Sequence, residues 1–135
     1  MDRVFLDANI LFSAAYRSDT GLLRLWHLEG VERITSAYAL EEARLNLEEP
    51  EQRIRLDRLA GSLKILGRQQ ADFCLPEVEV MGFPDKDRPI FMAAIESGAK
   101  HLLTGDIRHF GKYYGQTVKG VLILPPADYL RARQT

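Results

Sequence analysis

The sequence predicts an α/β fold with a central, mostly parallel sheet of four or five strands flanked by helices. Short apolar runs typical of buried strands alternate along the chain with helical patterns, and no internal repeat interrupts them. The 135 residues include 46% hydrophobic and 27% charged side chains, which is an ordinary globular balance. This length favours one domain over residues 1–135, large enough to bury a core.

The predicted strands are short and apolar. They are placed at residues 4–6, 31–35, 102–103 and 121–124. Residues 63–66 fit either the continuation of a helix or a further short strand. Pro125 and Pro126 close the last strand.

Helical patterns lie between these strands. They occupy residues 10–15, 21–26, 36–47, 51–60, 89–97 and 127–133. Ser36 is a favourable N-cap, Pro50 marks a helix end or break, and Pro89 suits a first turn. Gly30 and Gly98 each end a helical pattern. Residues 76–89, with three prolines and a glycine, are predicted as a loop.

Composition excludes several classes of protein. The net charge of −1 provides no overall basic field, although a metal-filled acidic site can still receive a phosphate. Cys74 is the one cysteine, so no internal disulfide forms, and we expect it to be a buried apolar residue. The start of the chain lacks the pattern of a signal peptide and no apolar run could span a membrane, so a cytoplasmic protein is expected.

Two carboxylates follow predicted strands. Asp7 ends RVFLD, and Asp106 follows the strand in HLLTGD. The carboxyl ends of parallel strands lie at one edge of a sheet, where ligands of such folds bind, so both acids are expected at that edge. The alternative for either acid alone is a helix cap.

Two further acids are predicted to join them. In SAYALEEARLNL, a period of about 100° per residue places Glu42 at the margin of the inward helix face and turns Glu41 away. In FPDKDRPIFMAAIESG, Asp87 begins a stripe with Phe91 and Ala94. The alternatives are a favourable helix-dipole contact for Glu42 and an N-cap for Asp87.

Four carboxylates that meet in one place repel each other unless protons or cations intervene. Mg²⁺ or Mn²⁺, which prefer oxygen ligands, are therefore the expected partners. The chain has no histidine pair at ligand spacing, so zinc is disfavoured.

The segments that carry these acids, FLDANIL, SAYALEEA, DRPIFMAAIESGAKHLLTGDIRHF and GVLILPPADYL, resemble the PIN domain, a family of metal-dependent nucleases that includes many bacterial and archaeal toxins. The resemblance covers nearly the whole chain and is weakest over residues 48–84. It implies an acidic pocket that holds one or two divalent ions and cleaves single-stranded RNA. By position it implies catalytic roles for Asp7, Glu42, Asp87 and Asp106, with Asp7, Asp87 and Asp106 as metal ligands. Asn9 and Thr104 match supporting polar positions.

Basic residues flank the predicted pocket. Arg88, Arg108 and His109 are candidates for contacts with the RNA backbone, together with Lys86 and Lys112. The alternatives are a solvated charged rim for each cation and a packed loop position for His109.

The leading hypothesis is an endoribonuclease that is the toxin of a toxin–antitoxin pair. The resemblance implies a separate antitoxin partner and a homodimer. The alternative is a non-catalytic RNA-binding or regulatory protein of the same fold. A phosphotransfer domain is disfavoured, because receivers carry paired acids after the first strand and phosphatases a second Asp where this chain has Asn9.

Overall fold

A computed structural model describes residues 1–67, 82, 84, 85 and 87–133 of the chain. The predictions for Cys74 and Lys86 fall outside the described residues, as does most of the predicted loop at residues 76–89. Within the described part, no helix has the length and apolar character needed to cross a bilayer.

The described residues form an α/β structure in which strands and helices alternate. The strands are β1 (Asp2–Leu6), β2 (Val31–Ser36), β3 (Lys64–Leu66), β4 (His101–Leu103), β5 (Thr117–Val118) and β6 (Val121–Leu124). The α-helices are α1 (Ala8–Tyr16), α2 (Ala37–Asn46), α3 (Pro50–Ala60), α4 (Arg88–Glu96), α5 (Ile107–Phe110) and α6 (Pro126–Ala132). Two 3₁₀ helices cover Gly21–His27 and Gly111–Tyr113.

The strands form one sheet in the order β3-β2-β1-β4-β6-β5. All neighbouring strands are parallel except β5 and β6, which pair antiparallel. The predicted α/β class with a mostly parallel sheet is confirmed. β3 forms within residues 63–66, where the sequence fits either a helix or a short strand. The sheet has one strand more than the expected maximum of five because β5, with two residues, is too short to leave a pattern in the sequence.

Helices cover both faces of the sheet, because alternate residues of β1 point to opposite sides. Phe5 packs with Phe91 of α4 in one apolar cluster, and Leu6 packs with Leu11 of α1 and Leu56 of α3 in the other. All five of these side chains are fully buried. The strand that leads to Asp7 is therefore held rigidly from both sides.

Local sequence signals set several element boundaries. Ser36 accepts a hydrogen bond from the Ala39 N–H at 3.1 Å and caps α2, as predicted. Pro50 begins α3, where its missing N–H is tolerated. Gly98, with φ of 74°, turns the chain from α4 towards β4. The segment predicted as helical at residues 21–26 forms a 3₁₀ helix, and Gly30 lies in the turn before β2.

The C-terminal helix is attached at the amino ends of the strands. The Tyr129 hydroxyl donates to Asp2, and Arg133 lies 3.5 Å from the same carboxylate. Arg133 also donates to the Glu29 carbonyl at 3.1 Å. The start of β1 and the end of α6 are thus joined at the amino ends of the strands, whereas Asp7 lies at their carboxyl ends.

Candidate active site in an acidic cleft

The site lies where the strand order reverses. From β1 the chain continues to β2 on one side of the sheet, whereas β4 flanks β1 on the other side. Asp7 follows β1 directly, and its N–H donates to the Leu103 carbonyl of β4 at 3.1 Å. Asp106 follows β4 after Thr104 and Gly105, so both acids lie beyond the carboxyl ends of adjacent strands.

The Asp7 carboxylate is held by three donors. Its Oδ1 accepts from the Ala8 N–H at 2.6 Å, and its Oδ2 accepts from the Thr104 hydroxyl at 2.7 Å and the Asn9 amide at 3.2 Å. The residue is only 3% exposed. A buried carboxylate with this many fixed donors keeps one orientation, as a metal ligand requires.

Asn9 and Thr104, the predicted supporting residues, lie directly beside Asp7. Thr104 Oγ accepts the Asp106 N–H at 3.1 Å, and Asn9 Oδ1 accepts the Gly105 N–H at 2.9 Å. The Tyr114 hydroxyl donates to the Thr104 carbonyl at 2.7 Å. These bonds connect the turn after β4 to the start of α1, and so fix Asp106 relative to Asp7.

All four predicted acids border one cleft of about 350 Å³. This acidic cleft is lined by Asp7, Ala8, Asn9, Phe12, Glu42, Ala43, Asn46, Asp87, Ile90 and Asp106. Glu42 is half-buried, whereas its neighbour Glu41 is exposed. The structure thus brings together the carboxylates that the sequence pattern selected, and it turns Glu41 to solvent as expected.

The acids influence one another electrostatically. The pKa of Asp7 rises from 3.8 to about 6, mainly because burial disfavours the charged form. Hydrogen bonds from Thr104 and Ala8 oppose this rise in pKa, and the negative charges of Asp87 and Glu42 add to it. The pKa of Tyr38, on α2, is raised by burial first and then by Glu42, Asp87 and Asp7. The cleft is therefore a region of concentrated negative charge.

His109 lies inside this charged region and not on its rim. Its Nδ1 is 2.8 Å from Asp87 Oδ2 and 2.9 Å from Asp106 Oδ2. The Asp106 Oδ1 atom accepts the backbone N–H of His109 at 3.2 Å and caps α5. The predicted contact of His109 with RNA is untested, and the ring nitrogen faces the two acids.

The other basic candidates differ in their surroundings. Arg88, at the start of α4, lies 3.2 Å from Asp85, and its side chain is 32% exposed. Arg108 is exposed on α5, one residue before His109. Lys112 lies 5.1 Å from the centre of the Tyr113 ring. Arg108 and Lys112 are both exposed, so each can meet a ligand that approaches from solvent.

The donor atoms of the cleft fit a divalent cation. One ligand atom each from Asp87, Asp106 and His109 lies within 4.8 Å of the others. Carboxylate oxygens are the ligands that Mg²⁺ and Mn²⁺ prefer, and Asp7 supplies a further fixed carboxylate in the same cleft. The arrangement can therefore hold an ion and present it to a phosphate.

Three polar or aromatic residues of the site were not identified from the sequence. Phe12 lines the cleft one helical turn after Asn9, and Asn46 lines it one turn after Glu42. Because residues three or four positions apart lie on the same face of a helix, the helical period predicts both. No sequence signal indicates that Tyr114 supports Thr104.

The chain superposes on solved structures of VapBC and VapC proteins over nearly its whole length. VapBC2 from Rickettsia felis bound to a promoter DNA fragment matches with a TM-score of 0.67 and 16% identity, covering 91% of this chain and 98% of that one. VapBC-1 from Haemophilus influenzae matches with a TM-score of 0.58 and 14% identity, covering 93% and 98%. VapC20 from Mycobacterium tuberculosis, described as a Sarcin-Ricin loop cleaving toxin, matches with a TM-score of 0.56 and 12% identity, covering 86% and 97%.

No family model matches the sequence, and no curated protein matches it either. The similarity is therefore one of structure, carried by chains that differ at most positions. The resemblance to the PIN domain seen in the sequence is confirmed as a likeness of fold: the chain has the fold of these VapBC and VapC structures.

Proposed function

We propose that the protein is a divalent-metal-dependent endoribonuclease that cleaves single-stranded RNA. The observation that carries this proposal is the convergence of four carboxylates, which come from separate parts of the sequence, on one cleft at the switch point of the sheet. The fold shared with a toxin described as cleaving the Sarcin-Ricin loop supports RNA as the substrate.

In this proposal Asp7, Asp87 and Asp106 hold the ion, either Mg²⁺ or Mn²⁺. When bound, the ion lowers the pKa of a water molecule and neutralises charge on the phosphate. Thr104 and Asn9 keep the Asp7 carboxylate in place through the hydrogen bonds described above. These residues therefore orient the ligands before the substrate arrives.

The half-buried carboxylate of Glu42 orients the attacking water and accepts its proton at the margin of the cleft. Attack of the water oxygen on phosphorus breaks the P–O3′ bond, and the leaving 3′-oxygen takes a proton from solvent, so that the products carry a 5′-phosphate and a 3′-hydroxyl. Arg88 and Arg108 contact the RNA backbone, which attracts the substrate without reading its sequence. Glu42 thus transfers the proton, whereas Arg88 and Arg108 neutralise the charge of the RNA backbone.

We further propose that this nuclease is the toxin of a toxin–antitoxin pair, that it acts in the cytoplasm as a homodimer, and that it extends over one domain, residues 1–135. The VapBC structures from R. felis and H. influenzae support an antitoxin partner, because this chain shares their fold. Induced expression of the wild type is expected to arrest growth, whereas the Asp7→Asn variant, which loses a metal ligand, is expected to be tolerated.

The test uses purified protein and a single-stranded RNA labelled at its 5′ end. We expect cleavage with Mg²⁺ or Mn²⁺, none with a chelator, and none with Asp7→Asn. Asp128→Asn, which removes an acid on α6 paired with Arg131, is the control expected to cleave normally. RNA that is bound but stays intact with every divalent ion would favour the non-catalytic binding protein instead, and transfer of a phosphoryl group to Asp7 would favour a phosphotransfer domain.

A further inference from the structure

The Nδ1 atom of the His109 ring lies between two carboxylates of the cleft. Nδ1 is buried and lies 2.8 Å and 2.9 Å from oxygens of Asp87 and Asp106. Despite these short distances, it has no in-line hydrogen-bond partner among the described residues. As a hydrogen-bond donor, Nδ1–H has to share its one hydrogen between two carboxylates, whereas a lone pair on Nδ1 that faces them needs a cation bound among the three atoms.

These distances are those of neighbouring ligands around one metal ion. In octahedral coordination with metal–ligand distances of about 2.1 Å, adjacent ligand atoms lie about 3 Å apart. The two separations from Nδ1 to the carboxylate oxygens are close to this value. Nδ1 therefore has the spacing of a corner adjacent to each of the two oxygens, and all three ligand atoms lie within 4.8 Å of one another.

The local backbone prepares this arrangement. Asp106 caps α5 through Oδ1 and thus presents Oδ2 to the ring of His109, three residues later. Asp87 stands at the N-cap position of α4 but makes no side-chain capping bond there, so its carboxylate turns towards the cleft. The side chain of Asp87 is 8% exposed and that of His109 is 21% exposed, which leaves few alternative positions for either.

We propose that His109 is a nitrogen ligand of the cation in the acidic cleft and that it makes the site select Mn²⁺ over Mg²⁺. This inference rests on the metal site of the proposed function, but not on RNA as the substrate. Mg²⁺ retains oxygen ligands and waters and gains little from an imidazole, whereas transition metals accept imidazole readily. A site made of carboxylates alone lacks this discrimination between Mn²⁺ and Mg²⁺, so His109 sets the preference for Mn²⁺.

The experiment measures ion binding directly. Electron paramagnetic resonance follows Mn²⁺ binding to the full chain, and electron spin echo modulation detects a ¹⁴N nucleus bonded to Mn²⁺. We expect a ¹⁴N coupling in the wild type that is absent from His109→Ala. We also expect His109→Ala to bind Mn²⁺ at least about tenfold more weakly, with a much smaller change for Mg²⁺ measured by competition.

Two further variants complete the test. His109→Asp replaces the nitrogen ligand with an oxygen ligand and is expected to shift the preference towards Mg²⁺. His27→Ala, at an exposed histidine, is the control and is expected to behave as the wild type. Circular dichroism verifies that each variant is folded. Bound Mn²⁺ without ¹⁴N coupling, an unchanged ratio of Mn²⁺ to Mg²⁺ affinity in His109→Ala, or no binding of either ion would each overturn the inference.

The outcomes also separate this inference from the proposed function. A ¹⁴N-coupled Mn²⁺ in a protein that leaves RNA intact would support the ligand role and refute the nuclease. RNA cleavage by a wild type whose Mn²⁺ lacks ¹⁴N coupling would support the nuclease and refute the ligand role.

Discussion

The hydroxyl of Thr104 donates to Asp7 Oδ2 across 2.7 Å, although the two residues are 97 positions apart in the sequence. The same oxygen atom of Thr104 accepts the N–H of Asp106. One hydroxyl therefore connects the acids that follow β1 and β4. It sets their relative position before any ion or substrate binds.

Replacing Thr104 with valine keeps the shape of the side chain and removes this hydroxyl. We expect the Thr104→Val variant to fold but to bind Mn²⁺ about 10- to 100-fold more weakly, as for other groups that orient metal ligands. Isothermal titration calorimetry measures the affinity. Thr104→Ser, which keeps the hydroxyl, is the matched control, and equal affinities of the valine variant and the wild type would contradict the orienting role.

The raised pKa of Asp7 predicts a pH-dependent loss of stability in the metal-free protein. Below pH 3.8 the carboxyl is protonated in both the folded and the unfolded chain, and its burial costs the folded protein no charge desolvation. The contribution of Asp7 to the free energy of unfolding is then at its most favourable. As the pH rises to about 6, the unfolded chain ionises first, so the free energy of unfolding falls. Above pH 6 the loss is complete, at up to about 3 kcal/mol for the shift from 3.8 to about 6.

Asp7→Asn removes this ionisation. We expect its free energy of unfolding, measured with urea in the presence of a chelator, to rise relative to the wild type between pH 4 and pH 7. A difference between the two proteins that stays constant over this range would show that Asp7 titrates at an ordinary pKa.

A divalent ion should stabilise the folded protein, because the unfolded chain has no assembled site. At an ion concentration 100 times the dissociation constant the gain is about 2.7 kcal/mol. We expect Mn²⁺ to raise the melting temperature of the wild type in calorimetry and to leave Asp106→Asn nearly unchanged. Asparagine can still cap α5, so the variant isolates the lost charge. Asp128→Asn should respond as the wild type does.

Glu42 and Glu41 form a matched pair for testing the role of α2. Glu42 lines the cleft and Glu41 is exposed. We expect Glu42→Gln to lower the rate of RNA cleavage by about 100-fold or more, the usual contribution of a general base, and Glu41→Gln to retain it. Comparable losses in both variants would indicate an effect on α2 as a whole.

Arg108 is expected to contact the phosphate backbone of RNA. Arg108→Gln should weaken binding of single-stranded RNA uniformly across sequences and lower the slope of log affinity against log salt by about 1. Fluorescence anisotropy at several salt concentrations measures both. Arg131→Gln, on α6 and not among the residues that line the cleft, is the control. An unchanged salt slope for Arg108→Gln would place the RNA elsewhere.

The sequence predicts most of the fold because its strands are apolar runs that end at recognisable residues. The run that stops at Asp7 and the one before Thr104 both form the expected strands, β1 and β4. The two-residue strand β5 was missed, because Thr117–Val118 is too short to show alternation. The short helix α5 was missed for the same reason, since Ile107–Phe110 covers little more than one turn.

Those residues of the site whose positions follow from helical or strand periodicity could be predicted from the sequence. The period of α2 distinguishes Glu42 from Glu41 correctly, and the stripe of α4 places Asp87 in the cleft. The orientation of His109 could not be predicted, because it depends on Asp87, which is distant in the sequence and contacts the ring only in the folded chain. The roles of the site residues stay predictions for the experiments above.

The link between Asp2, Tyr129 and Arg133 places both ends of the described chain near the amino ends of the strands, whereas the acids lie beyond their carboxyl ends. A surface tether or a fluorescent label joined beside Met1 or Arg133 therefore leaves the cleft accessible to solution. Single molecules immobilised in this way could be supplied with ions and nucleic acid in turn, with the anchor on the far side of the protein.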